Sequence, residues 1–347
     1  MGLLRAREIR RLTPSLPKLP KFKNETQRVA HSAVVDAIRN GEMQLIEVAC
    51  PLCGSQEFDH VASVDRQGLP VQTVRCLRCP TLYSRWRLSD SALERFYSSY
   101  YRDLYVGESS PSQKWFDSQI ESGRKILKSL LSAKAIPDRL DGFRVIEVGS
   151  AAGGGLVPFR DAGAAVLGID FDASYLEFGR SMGVDLQRGG VNDLCDFGLQ
   201  DIVILKDVLE HIPSPIHSLE LIQSVLSDRG VVYIQVPGLQ ALKFLGYRND
   251  LLRYLQIAHL CHYTIESLEY SCQRAGLRVL HSELRGVVIC SKASPGFNAT
   301  KADLPSPIHA VDALEDIYRR RRITAIDHWL RSRIPLRPKQ FLKALIR

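Results

Sequence analysis

The sequence predicts an α/β fold: a mostly parallel sheet with helices on both faces, preceded by a small metal-binding ribbon. Three observations lead there. Between residues 143 and 291, short apolar runs alternate with stretches of helical spacing. The first run ends in a glycine-rich turn and the second in an acid. Ahead of them stand two Cys-x-x-Cys pairs.

The pairs are Cys50-Pro-Leu-Cys53 and Cys76-Leu-Arg-Cys79, with 22 residues between them. The stretches 60–64 and 70–74 read as short strands around the turn Asp65-Arg66-Gln67-Gly68, a hairpin that brings the pairs side by side. Four thiolates then close a tetrahedral zinc site with no open position, which is the structural kind. The alternative is four unrelated buried or redox thiols. With no secretory leader apparent, a disulfide framework is not expected. Cys195, Cys261, Cys272 and Cys290 lie in apolar sequence and read as core filler.

The first strand of the large domain ends at Val148, and Gly149-Ser-Ala151-Ala-Gly153-Gly-Gly155 forms the turn. Such a turn lets backbone approach a bound cofactor closely. Leu156, Phe159 and Ala162 continue it with helical spacing. The next apolar run, 164–170, ends in Asp170, 21 residues after Gly149. A carboxylate there is placed to accept both hydroxyl protons of a ribose. Further on, 174–182 reads as a helix, 184–187 as a strand, 201–206 as a buried strand and 216–226 as a helix. The run 230–237 reads as another buried strand, 265–275 as a helix, and 277–281 and 287–291 as strands. In such sheets ligands sit beyond the carboxyl ends of the strands, where Gly149, Asp170, Lys206 and Pro237 fall.

Val145-Ile-Glu147-Val-Gly149-Ser-Ala-Ala-Gly153 resembles the first motif of class I S-adenosylmethionine-dependent methyltransferases, a Rossmann-like family. Asp170, followed by Phe171, is similar to their ribose-binding acid, and Val191-Asn192-Asp193 to their adenine-contacting segment. The run from Asp201 through Lys206 and Asp207 to Leu209-Glu210-His211-Ile-Pro resembles their fourth motif. Ala258-His259 through Tyr263-Thr264 to Leu277 is similar to a late His-containing segment. The resemblance implies that Gly149, Ala151 and Gly153 shape the cofactor turn and Glu147 fixes it. It likewise implies that Asp170 and Phe171 meet the ribose side and Asn192 and Asp193 the adenine. Lys206 ends a buried strand, where a charge is not expected as core, and is placed to attract an anionic substrate group. Ala151 stands where the motif usually has glycine, which implies tighter clearance. The paired-cysteine ribbon and the aromatic stretch Phe96-Tyr97-Ser-Ser-Tyr100-Tyr101 resemble sugar C-methyltransferases of polysaccharide gene clusters. Those enzymes carry a third domain, whereas about 55 residues follow Ser291 here, so a hydroxyl acceptor is expected.

His211 and His259 are the candidate bases for that hydroxyl, with Glu210 beside them, since imidazole titrates near neutral pH. Alternatively Glu210 caps or orients the loop and the histidines pack there. The tyrosine stretch either closes on the cofactor through Tyr101 or Tyr105 or packs as an amphipathic helix. Trp115 and 120–131 read as a cover helix. Gly149, Gly153 and Gly155 also fit a nicotinamide-dependent oxidoreductase, but no Tyr is followed four residues later by Lys. A third possibility is an inactive scaffold at a membrane.

Residues 1–24 carry seven Lys/Arg against one Glu, and 317–347 ten against one Asp, leaving the body between them at −7 of a total +8. That distribution argues against a nucleic-acid binder. Arg319-Arg-Arg-Arg322 with Ile323, Ile326, Trp329, Leu330 and Ile334 either lies on anionic lipid or packs on the body with a solvated arginine face. The expected division is a basic, proline-containing extension over 1–45, a zinc ribbon over 46–90 and a helical cover over 91–140. The methyltransferase domain follows over 141–293, and a basic amphipathic extension over 294–347. The chain is expected in the cytoplasm, peripheral to a membrane at most.

Overall fold

The computed structural model describes residues 22–107, 110–242, 247, 250–293, 302–317 and 319. Two sheets organise them. The first contains β1 (Leu45–Glu47), β2 (Phe58–Val64), β3 (Pro70–Cys76) and β4 (Thr81–Leu88), all antiparallel in the order β1-β4-β3-β2. The hairpin expected between the cysteine pairs is β2–β3, with Phe58 opposite Cys76.

The second sheet has seven strands: β5 (Arg144–Val148), β6 (Ala165–Asp170), β7 (Leu186–Arg188), β8 (Gln200–Lys206), β9 (Leu226–Gln235), β11 (Leu277–Glu283) and β12 (Val287–Lys292). Their order is β11-β12-β9-β8-β5-β6-β7. β5 to β9 pair in parallel, while β11 and β12 add antiparallel. This is the Rossmann-like, mostly parallel sheet expected. Residues 200–205 of β8 are all buried, as a strand covered on both faces must be.

One strand joins the two sheets. Residues 261–263, β10 (Cys261–Tyr263), leave the large domain's span and pair with residues 81–83 of β4, along the edge that β1 uses further on. The backbone leading into it is tied on both sides: Arg66 N–H donates to Leu255 O, Ser84 N–H to Leu260 O, and Leu260 N–H to Glu210 O at 2.8 Å. Asp65 anchors the same segment. It is fully buried, accepts from the amides of Gln67, Leu69 and Ile257, and accepts from Tyr105 Oη at 3.0 Å.

Helix α1 (Glu25–Arg39) is capped by Asn24, whose side chain accepts from Gln27 N–H. With α2 (Asp90–Ser99) and α3 (Tyr101–Tyr105) it packs around Phe96, Leu104, Ala258 and Leu260. The tyrosine stretch thus packs through Phe96 and Leu104, as the amphipathic reading has it, while Tyr97 and Tyr101 also line the cavity described below. Helix α4 (Gln113–Ser132) starts at the Ser112 cap and buries Phe116, Gly123, Ile126 and Leu130. Gly123 allows the closest crossing: a Cβ there would stand 2.1 Å from Gly155 O, so the helix rests directly on the glycine turn. Helices α5 (Val157–Asp161), α6 (Ala173–Ser181), α7 (Pro215–Val225), α8 (Leu251–Tyr254) and α9 (Ile265–Arg274) complete the cover.

One expectation needs correction. Cys195 is exposed on a 3-10 turn rather than buried, unlike Cys261, Cys272 and Cys290. Leu209–His211 is one 3-10 turn, and the helix expected over 216–226 begins at Pro215, where the proline ring fits the first turn. Residues 1–21 of the proline-containing extension and the basic stretch beyond Arg319 lie outside the described residues. Among those described, no helix is long and apolar enough to cross a membrane.

Candidate active site and thiol cluster

A cavity of about 1100 Å³ opens beyond the carboxyl ends of β5, β6 and β8. Gly149 forms its floor. Its φ of +69° and a Cβ position 2.7 Å from Val208 Cγ2 both demand glycine. Ala151 holds the left-handed φ of +49° that glycine would take more easily, and its N–H donates to Asp170 Oδ2 at 2.8 Å. Asp170 Oδ1 accepts from Asp172 N–H at 2.9 Å. Two amides thus fix the acid and leave its remaining lone pairs for a ligand. Arg102 pairs with Asp172, lies 3.9 Å from Asp170 Oδ1 and covers the Tyr175 ring at 3.5 Å.

Glu147 is buried beneath the turn, with its Oε2 2.9 Å from where a Cβ on Gly155 would be. Burial pushes its carboxyl up to about 8, against the pull of Lys206. Lys206 Nζ itself pairs with Asp207 Oδ2 at 2.5 Å. On the far wall Asp193 Oδ2 accepts from Gly190 N–H at 2.8 Å, beside Asn192. Phe171 packs over Gly190 and leaves 58% of its surface exposed at the mouth. Glu147, Gly149, Ala151, Asp170, Phe171, Asn192, Asp193 and Lys206 all line the cavity. Gly153 does not: it faces Leu186 and Val184, so its lack of a side chain serves packing.

At one end stands the histidine corner. His211 lines the cavity, with Glu210 and His259 behind it. His211 Nδ1 is 2.9 Å from Ala258 O and 2.8 Å from Tyr97 Oη. A carbonyl can only accept, so Nδ1 carries the proton and Nε2 keeps its lone pair, 3.7 Å from Glu210 Oε1. That atom is competent to accept a proton or to ligate a metal. The His211 and His259 ring centroids are 4.9 Å apart. The expectation that these histidines titrate near neutral pH is corrected. Burial pulls His211 down to about 4 and His259 well below its ordinary value, so both are neutral at pH 7. Burial, then the charge of Asp207, raises Glu210 well above the carboxylate range.

The second cluster is the thiol set. Cys50 and Cys79 Sγ are 3.5 Å apart, as are Cys53 and Cys76, and all four sulfurs lie within 4.8 Å of one another. Sulfurs 2.3 Å from one tetrahedral ion stand about 3.8 Å apart, so the set fits structural zinc. Hydrogen bonds from Cys50, Cys53 and Cys79 hold the Cys76 thiol below its ordinary value, helped by Arg78 N–H at 3.3 Å.

Sequence reasoning missed Tyr97, Arg102, Gln119 and the anchoring role of Asp65. Gln119 Nε2 donates to Ser150 O at 3.0 Å and its Oε1 accepts from Gly154 N–H at 3.3 Å, so the cover helix also holds the turn. Its signal was present: a polar residue on the stripe Phe116, Gly123, Ile126. Arg102 had no comparable signal.

Residues 117–282 match the family model described as a methyltransferase domain. These residues form a methyltransferase domain. The hydride-transfer alternative falls with that match. No curated protein matches the chain. Solved structures that are similar include one from the complex between the Haloferax volcanii Trm112 methyltransferase activator and a methyltransferase. It shows 16% identity over 54% of this chain and 100% of that one, with a TM-score of 0.38. PKMT2 from Rickettsia typhi in complex with AdoHcy shows 19% identity over 42% of this chain, which spans 40% of that protein, with a TM-score of 0.34. An S-adenosylmethionine-dependent methyltransferase from Thermotoga maritima shows 15% identity over 52% of this chain and 95% of that one, with a TM-score of 0.37.

Proposed function

We propose that this methyltransferase domain takes its methyl group from S-adenosylmethionine and that the chain methylates a hydroxyl of a sugar or polysaccharide precursor in the cytoplasm. One observation carries the reading. The Glu210–His211–His259 corner opens on the same cavity as the glycine turn and Asp170, which sets groups able to draw off a hydroxyl proton beside the donor. Donor and acceptor then need alignment more than further activation, because the sulfonium is already reactive.

Asp170 holds the ribose hydroxyls, Asp193 Oδ1 the adenine amino group, and Phe171 covers the adenine face. Gly149 and Ala151 give the backbone clearance, and the Glu147 carboxyl braces the turn over Gly155. The acidic lining suits a cationic donor. The corner formed by Glu210, His211 and His259 carries the proton chemistry. Ser118, Ser122, Ser214 and His217 line the remaining wall and offer hydrogen bonds to a polyol.

The thiol set carries structural zinc in a ribbon over 46–90, beside a cover over 91–140 and a catalytic domain over 141–293. The ten Lys/Arg of 317–347 support contact of the 294–347 extension with an anionic surface. Salt-sensitive binding to anionic vesicles, lost on deleting that extension, tests this last point.

For the acceptor, the test is mass spectrometry of nucleotide-sugar and oligosaccharide mixtures incubated with labelled donor. Label on a sugar hydroxyl is the expected result. Label confined to protein, nitrogen or carbon acceptors refutes the hydroxyl reading.

A further inference from the structure

Glu210, His211 and His259 leave buried polar atoms facing one another. Each offers one donor atom, and the three lie within 4.8 Å of one another. Ligands about 2.1 Å from one ion stand roughly 3 to 4 Å apart, a span that the 3.7 Å between His211 Nε2 and Glu210 Oε1 already meets.

Their surroundings point the same way. The Glu210 carboxylate is 2% exposed, and neither oxygen has a hydrogen-bond partner. Without a counter-charge a carboxyl so placed keeps its proton, and a bound cation would displace it. Lys206 spends its ammonium on Asp207 instead. His259 is 4% exposed, and its Nδ1 has no partner either. His211 gives its Nδ1 proton to Ala258 O, which turns Nε2 toward Glu210. Metal-binding histidines are oriented in this way, the second ring nitrogen held by a carbonyl or carboxylate. The backbone is pinned as well: Leu260 N–H donates to Glu210 O at 2.8 Å, and Ser84 Oγ donates to His259 O at 3.0 Å.

We infer that Glu210, His211 and His259 bind one divalent transition-metal cation through two imidazoles and a carboxylate. This mixed nitrogen and oxygen set takes Mn²⁺, Fe²⁺, Co²⁺ or Zn²⁺. Three protein ligands leave a position open, and His211 places it on the cavity. Resting on the hydroxyl-methylating reading, that position receives the acceptor oxygen, whose proton the cation makes easier to lose. The O–H bond breaks and its proton passes to cavity water. The oxygen bonds the methyl carbon as the sulfonium C–S bond breaks, with both electrons of that bond remaining on sulfur.

The test uses full-length protein and Mn²⁺ as the probe, because the soft thiol set disfavours it. Titration followed by the electron paramagnetic resonance of free Mn²⁺ should show one ion bound per chain. Glu210→Gln and His259→Ala should each weaken binding at least ten-fold, with zinc at the thiols retained. Crystals of the unmodified chain soaked in Mn²⁺ should show an anomalous peak between Glu210 and His259, a readout independent of whether the variants fold. No bound Mn²⁺ and no peak, or binding indifferent to both substitutions, overturns the inference. Neither readout involves donor or acceptor, so a chain that binds Mn²⁺ here yet methylates no hydroxyl loses only the acceptor assignment.

Discussion

The thiol cluster and the histidine corner gather ligand-type side chains on opposite plans. The thiols come as two short-range pairs brought together by one hairpin, and they are saturated among themselves. Glu210 and His211 meet His259 across 48 residues of chain, and their corner gives onto a cavity. A closed donor set can hold a fold but cannot touch a substrate. An open one can do chemistry only if the surrounding backbone keeps it in place.

That contrast can be broken most forcefully at the thiols. Cys53→Ser with Cys76→Ser should remove the zinc and unfold the antiparallel sheet, lowering the melting temperature by more than about 10 °C. Metal analysis and a thermal scan check this, and an unaltered zinc content removes the ribbon.

Glu147 is the next largest. Its folded value, about 8, lies above the ordinary 4.5. The stability of the unmodified chain should therefore be greatest below pH 4.5 and decline as pH rises through 8. Glu147→Gln should lack this slope and gain about 4 kcal/mol relative to the parent between pH 5 and 8.5. Denaturant midpoints at pH 5 and 8.5 measure it; parallel curves refute the burial argument.

Asp170→Ala removes the anchored acid and should weaken S-adenosylmethionine binding ten- to a hundred-fold by calorimetry, leaving zinc unchanged. The smallest effect belongs to Tyr97→Phe. Losing the hydroxyl 2.8 Å from His211 Nδ1 should lower kcat about three- to ten-fold with donor affinity intact. A fall in donor affinity would place Tyr97 in the cofactor site instead.

Much of the cofactor side was legible because it is local. Strand, glycine turn, strand and Asp170 follow one another, and a parallel sheet brings their ends together. The parts that depend on distant chain were not. Cys261-His262-Tyr263 has no periodicity to mark it as a strand, and its partner is residues 81–83. Arg102 meets Asp172 across 70 residues. The histidines were misjudged because solvent exclusion, which sets their protonation, is a property of the packed corner rather than of a Glu-His pair.

The pairing of β10 with β4 has a practical consequence for anyone dissecting this chain. An excised catalytic half starting near residue 141 would carry three residues with raw amide edges and no partner, the kind of surface that seeds aggregation. Restoring activity to such a fragment should require supplying the missing half in trans, and that complementation would show the two halves to be one folding unit.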